Sequence, residues 1–267
     1  MYIVKEFYKS TPFNYSEEID LYIRSIRRSN QILEYEDLHS LLLKRKNWNR
    51  TPVVNNVIEF GCGTGWLTNT ISYYYQKNVK AIDFTTKALE VAKNAAKKLA
   101  INPDFIQEDI FNYEDSNLYD LVISMGVLHH TSNCKEAFKK ISKFVKPGGR
   151  LYVGLYHFYS RRPMLKMLRE YNHWHGEKSA YRLFRRMNST MMNEDHSYSW
   201  FRDQVIHPNE TQHTLLEVKD WLDELGMKIE STSINNYRNI RKVDEEQIDL
   251  LEREFEQYSY KKNISNS

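Results

Sequence analysis

The sequence predicts an α/β fold: a doubly wound, mostly parallel sheet with an N-terminal helical cap and a helical insertion after the fifth strand. Three observations carry this. Short apolar runs at residues 57–60, 80–82, 105–106, 121–123 and 151–155 alternate with helical patterns. A glycine-rich turn directly follows the first run, and a stretch rich in arginines and aromatics, residues 158–213, interrupts the alternation after the last. Strands alternating with helices imply right-handed βαβ crossovers, and these build a parallel sheet covered by helices on both faces.

The elements follow in order. Residues 1–50 read as helical, with Ile19, Tyr22, Ile23 and Ile26 spaced along one helix face and Leu38, Leu41 and Leu42 along another. Residues 51–157 are the alternating core, in which Ala88, Leu89, Ala92, Ala96 and Leu99 recur at helical spacing. A further helix starts at Asn133, with Glu136 as its capping-box partner and Ala137, Ile141 and Phe144 turned inward; Lys146-Pro-Gly-Gly149 stops it. After the insertion, residues 214–267 complete the core. There Thr214 and Glu217 cap a helix carrying Val218, Trp221, Leu222 and Leu225, and Gly226 closes it before the alternating strand 227–230.

The chain has 267 residues, of which 41% are apolar, 27% charged and 13% aromatic, enough for one substantial core and unlike disordered or fibrous sequences. Its 38 basic and 35 acidic residues give +3, so the overall charge supplies no warrant for a nucleic-acid or membrane-surface partner. No apolar run is long enough to span a membrane and the first residues lack the apolar core of a signal peptide, so the expected location is the cytoplasm. Cys62 and Cys134 have no zinc-type companions, and His173-Trp-His175 lacks carboxylate support, so neither a disulfide nor a metal is expected.

The chemistry concentrates at Glu59-Phe-Gly61-Cys62-Gly63-Thr-Gly65, between a strand and a helix. In open α/β sheets this turn lies at the carboxyl edge near the topological switch point, where ligands bind. Glycines there admit the ligand to the backbone. A nicotinamide dinucleotide fold also uses such a turn, but its fingerprint wants Gly or Ala where this chain has Trp66.

With that turn, Lys80-Ala-Ile-Asp83, Gln107-Glu-Asp109, the fourth-strand stretch from Tyr119 to His130, and Lys146-Pro-Gly-Gly149, the sequence resembles the class I S-adenosylmethionine-dependent methyltransferases, most closely their small-molecule quinone-methylase-like branch. The resemblance covers residues 54–157 and 214–233. It implies a Rossmann-like fold, S-adenosylmethionine as cofactor and methyl transfer to O, N, S or C of a small molecule. It also implies that Glu59, Gly61, Cys62, Gly63 and Gly65 hold the cofactor's amino acid part, Asp83 the ribose diol and Asp109 the adenine amino group, with Ser124 and Met125 lining the methionine moiety.

His130 and His129 end the fourth strand near the expected methyl position, and a histidine suits the role of general base. Phe7, Tyr8, Phe13 and Tyr15 are candidates for an aromatic lid, with Tyr15 also expected at the substrate. In the insertion, nine Lys/Arg face five Asp/Glu between residues 161 and 203, an excess suggesting an anionic or planar substrate. Tyr156, His157, Arg161 and Arg162 are its expected readers.

A protein or RNA methyltransferase would show an Asn-Pro-Pro-Tyr-like turn where this chain reads Ser124-Met-Gly-Val, or an appended RNA module. A nonenzymatic cofactor-binding partner would be signalled by degraded glycines, which are intact. The helical ends, residues 1–50 and 244–258, offer faces for a homodimer.

Overall fold

A computed structural model describes residues 4, 6–8, 13, 19–43, 53–188, 194–232, 250 and 252–254. Among the described residues the sheet has five strands in the order β3-β2-β1-β4-β5, all parallel. They are β1 (Asn56–Phe60), β2 (Asn78–Asp83), β3 (Asp104–Gln107), β4 (Tyr119–Met125) and β5 (Val145–Gly154). The chain runs outward from β1 to β3 and then returns to β4 on the other side of β1. The switch point therefore falls between β1 and β4, beside the glycine-rich turn.

Burial explains the strand texture. In β1, Val57, Ile58 and Phe60 have no exposed surface and Glu59 only 2%, as expected of a central strand covered on both faces. Each such apolar side chain contributes about 1.5–3 kcal/mol of burial free energy. One face meets Phe138, Ile141, Trp221 and Leu222, and the other meets Leu38, Leu42, Leu67 and Ile71.

The covering helices of the core are α1 (Ile19–Arg28), α2 (Glu36–Leu42), α3 (Trp66–Tyr75), α4 (Thr86–Leu99) and α5 (Cys134–Ser142). α1 lays Tyr22, Ile23 and Ile26 against Ala95 and Leu99 of α4, so part of the N-terminal cap packs on the core. At α5 the Asn133 side chain accepts from the Glu136 amide at 3.1 Å, the cap that the sequence predicts.

The insertion folds into α6 (Phe158–His175), α7 (Glu177–Met187), α8 (Glu194–Phe201) and a π-helical turn, Arg202–Ile206. It has its own apolar centre of Leu168, Ala180, Phe184, Phe201 and Val205. The chain then enters α9 (Leu215–Glu224), capped by Thr214 accepting from the Glu217 amide at 3.1 Å.

Two boundaries differ from expectation. Lys146-Pro-Gly-Gly149 lies within the span of β5, where the pairing shifts from Tyr119↔Val145 to Leu121↔Arg150 around the proline and glycines. Residues 227–230 form no ladder among the described residues; side chains attach them instead, through Arg150 Nε to Glu230 at 2.8 Å and the packing of Met227 and Ile229 on the core. Alternation marks a face to be buried, and here the burial comes without backbone pairing.

Candidate active site

At the carboxyl edge of the sheet, the turns after β1, β2, β3 and β4 surround one cleft. The first turn is shaped by its glycines. Gly61 has φ +75°, and a Cβ there would collide with the Val127 side chain. Gly65, at φ +79°, starts α3, and its Cβ would meet that of Ala92 at 2.7 Å. The Gly61 amide donates to the Ile82 carbonyl at 2.7 Å, which ties the turn to β2.

Asp83 ends β2 inside the cleft. One carboxylate oxygen accepts from the Gly63 amide at 2.8 Å and the other from the Thr85 amide at 2.8 Å. Burial raises its pKa, while those donors oppose the shift. Glu59 accepts from the Thr68 hydroxyl, and burial pushes its carboxyl up to about 7. Cys62 also borders the cleft, its thiol pushed well up by burial. Asp109 lies beside Glu108 and accepts from the Phe111 amide at 3.0 Å. Met125 lines the wall, whereas Ser124 is fully buried and donates to the Phe60 carbonyl at 3.0 Å, so the expectation that it lines the cleft is corrected.

The histidine pair divides. His130 reaches the cleft, and its Nδ1 lies 2.9 Å from the Asn209 carbonyl, an arrangement in which Nδ1 carries the hydrogen of the neutral ring. His129 is fully buried behind it, stacked on Tyr156 at 3.8 Å, and burial holds it well below the ordinary histidine range. It does not line the cleft, so it has no contact through which to act as a base.

The predicted substrate readers are placed differently. His157 Nε2 pairs with Glu252 at 3.1 Å, away from the cleft. Arg161 is buried, pairs with Glu210 at 3.3 Å, donates to the Gln204 carbonyl and covers the Tyr156 ring at 4.3 Å. Its charge is thus spent on holding the π-helical turn. Arg169 and Arg202 are likewise directed at carbonyls, of Val205 and Phe7. Tyr156 forms a second layer, its hydroxyl 3.4 Å from Asp203. Tyr15 and the Arg162 side chain lie outside the described residues.

Two groups complete the cleft. Val4, Tyr8 and Phe13 of the N-terminal segment line it, and Tyr8 donates a hydrogen bond to Asp203 of the π-helical turn. Asp203 itself lines the cleft, which sequence reasoning missed; in the chain it is one acid in a basic, aromatic stretch, and no local spacing marks it. Among the described residues, the lining holds the carboxyls of Glu59, Asp83, Glu108, Asp109 and Asp203 and no lysine or arginine.

A parallel sheet with a switch-point cleft, a glycine turn and an acid after β2 defines a Rossmann-like class. The profile of the family described as Methyltransferase domain (Methyltransf_31) matches residues 54–226, and the chain belongs to that family. It is 35% identical over 98 residues to a malonyl-[acyl-carrier protein] O-methyltransferase of Ilyobacter polytropus, covering 36% of this chain and 37% of that one. It is 27% identical over 125 residues to a ubiquinone biosynthesis O-methyltransferase of Erwinia tasmaniensis, covering 45% and 51%. The matched stretch is thus about half or less of those relatives' length.

Among solved structures, PKMT2 from Rickettsia typhi superposes with a TM-score of 0.58 at 18% identity, over 81% of this chain and 48% of that one. The plantazolicin methyltransferase BpumL, in complex with SAH, gives 0.51 at 15% identity, over 97% and 89%. Both share the fold.

Proposed function

We propose that the protein is an S-adenosylmethionine-dependent methyltransferase acting on a small-molecule acceptor. The observation that carries this reading is the convergence of the glycine turn, Asp83 and His130 on one cleft in a chain of the methyltransferase domain family. The cleft suits the cofactor chemically. Positive-φ glycines at 63 and 126 have open space where a Cβ would stand, so ligand atoms can approach the backbone. Among the described residues, a lining of carboxyls without lysine or arginine favours a ligand bearing a sulfonium, an ammonium and a diol, and disfavours a pyrophosphate.

When bound, the cofactor supplies an electrophilic methyl group on a positively charged sulfur. Glu59 would hold its ammonium and Asp83 its ribose hydroxyls, with Glu108 and Asp109 at the adenine end. The enzyme's own task is orientation: holding a nucleophile at attack distance lowers the barrier by about 7–11 kcal/mol. His130 would take the acceptor's proton at Nε2, since the Asn209 carbonyl engages Nδ1. Val4, Phe13 and Trp66 exclude water from that space. The O-methyltransferase relatives favour oxygen as the accepting atom, and the ubiquinone biosynthesis relative favours a small acceptor over RNA or protein.

Calorimetry with S-adenosylmethionine and S-adenosylhomocysteine tests the cofactor, and transfer of labelled methyl into a metabolite extract tests the reaction. Binding of neither ligand, with tight binding of NADH instead, would overturn the reading. In the His130→Ala variant turnover falls by about a hundredfold or more while S-adenosylhomocysteine affinity changes little; equal turnover removes His130 as the base.

A further inference from the structure

Asp203 is a buried carboxylate with an unusual set of partners. It is 4% exposed and accepts from the Tyr8 hydroxyl and from Gln204 Nε2, the latter at 2.9 Å; the Tyr156 hydroxyl stands 3.4 Å away. All three are neutral. Among the described residues, Nε2 of His130 lies 3.7 Å from Oδ1, too far for a hydrogen bond and near enough for an ion pair once the ring is protonated. That Nε2 is itself buried and without a hydrogen-bond partner among the described residues. Carboxylate and imidazole thus face each other across the acceptor end of the cleft, each with bonding capacity left over.

The neighbouring cations do not fill that gap. Arg161 is matched by Glu210, and Arg202 lies over the Phe7 ring and donates to the Phe7 carbonyl. His207, stacked on His130 at 3.9 Å, is held neutral by burial, its pKa down to about 3. A buried charge is tolerable when paired or hydrogen-bonded, and a ligand can supply what the protein leaves open.

We infer that Asp203 sets acceptor specificity, selecting a protic nucleophile, a hydroxyl or an amine, and rejecting anions. This rests on the methyltransferase reading and names the substrate class of the same site. The local charge runs opposite to the overall excess of the insertion, because Arg161 is paired inside the fold while Lys166, Lys178, Arg182, Arg185 and Arg186 are exposed on α6 and α7, outside the cleft lining. A hydroxyl placed between the two side chains gives its proton to Nε2. Its oxygen forms the new bond to the methyl carbon as the sulfur–carbon bond breaks, the electron pair leaving with the now neutral sulfur. The resulting imidazolium lies against the Asp203 carboxylate until the proton passes to solvent. An ammonium acceptor is held by Asp203, gives one proton to Nε2 and attacks as the free amine. A carboxylate or phosphate brings no proton and meets a like charge.

The test uses shape-matched probes. Benzylamine, benzyl alcohol and benzoate are titrated into the protein loaded with S-adenosylhomocysteine, whose binding is first measured by calorimetry. The His130 ring signal is followed by NMR. Benzylamine binds about tenfold or more tighter than benzoate, the scale of a charge-assisted hydrogen bond, and benzyl alcohol also outbinds benzoate. In Asp203→Asn the preference for the amine shrinks to within about threefold while S-adenosylhomocysteine affinity holds, and Asp203→Glu keeps the wild-type order. Labelled methyl transfer to hydroxyl and amine acceptor panels then separates the two acceptors. Binding of none of the probes, benzoate binding as tightly as benzylamine, or an unchanged preference in Asp203→Asn overturns the inference alone. Loss of S-adenosylhomocysteine binding in the wild type overturns the methyltransferase reading beneath it.

Discussion

Burial of Glu59 raises its carboxyl from an ordinary 4.5 to about 7, with desolvation the main cause, the Thr68 hydroxyl opposing it and Asp83 adding to it. The folded protein therefore holds the Glu59 proton more tightly than the unfolded chain. The associated stability is fully present below pH 4.5 and is lost as pH rises through about 7, a swing on the order of 3 kcal/mol. Glu59→Gln removes this one titration. Urea unfolding of ligand-free protein at pH 5 and pH 8 should show the variant gaining on the wild type at the higher pH, while its S-adenosylhomocysteine affinity falls. A stability difference that does not move with pH would mean that Glu59 is solvated. The sequence placed this acid correctly beside the turn, because a strand-to-helix junction is a local pattern. It could not separate His130 from His129: the pair does not end β4, as expected, but lies past Met125 in the 3-10 turn Leu128–His130, which sends one into the cleft and the other behind it.

Elements with local signals were legible, and those held by distant partners were not. The caps at Asn133 and Thr214 announce themselves within four residues of sequence, and both form. The insertion gave composition without geometry, and composition suggested arginines aimed at a substrate. Arg161 is aimed at Glu210, whose side chain has no exposed surface, and at the carbonyl of Gln204, so it fastens α6 to the π-helical turn that carries Asp203. Removing one partner of such a buried pair strands the other, at about 3–5 kcal/mol. Arg161→Leu should thus lower the melting temperature by on the order of 10 °C, read by calorimetry. Arg161→Glu should be worse, since it sets a second carboxylate against Glu210. An unchanged melting temperature in both, with a raised Michaelis constant for an anionic acceptor, would return Arg161 to the role of substrate reader.

For the molecule as a whole, the net +3 says little about the site, because the cleft lining is acidic and Arg161, Arg169 and Arg202 are engaged with protein partners, Glu210, the Val205 carbonyl and the Phe7 carbonyl. The sheet was readable because each strand satisfies a local burial pattern, whereas the cleft is assembled from parts far apart in the chain. The strand ends supply Glu59 and Asp83, the 3-10 turn after β4 supplies His130, the insertion supplies Asp203, and the N-terminal segment supplies Tyr8 and Phe13. A ligand seated there touches all three parts and binds only the folded chain, so it must stabilise the whole by mass action. At a hundred times its dissociation constant, S-adenosylhomocysteine contributes about 2.7 kcal/mol. For a protein of this size that is a rise of about 5–10 °C in melting temperature. Differential scanning calorimetry should show the shift with S-adenosylmethionine and S-adenosylhomocysteine and none with NADH. Because the insertion and the N-terminal segment both close on the cleft, the heat peak should move as one; a low-temperature shoulder that ignores the ligand would mean that the insertion unfolds apart from the sheet and does not help to build the site.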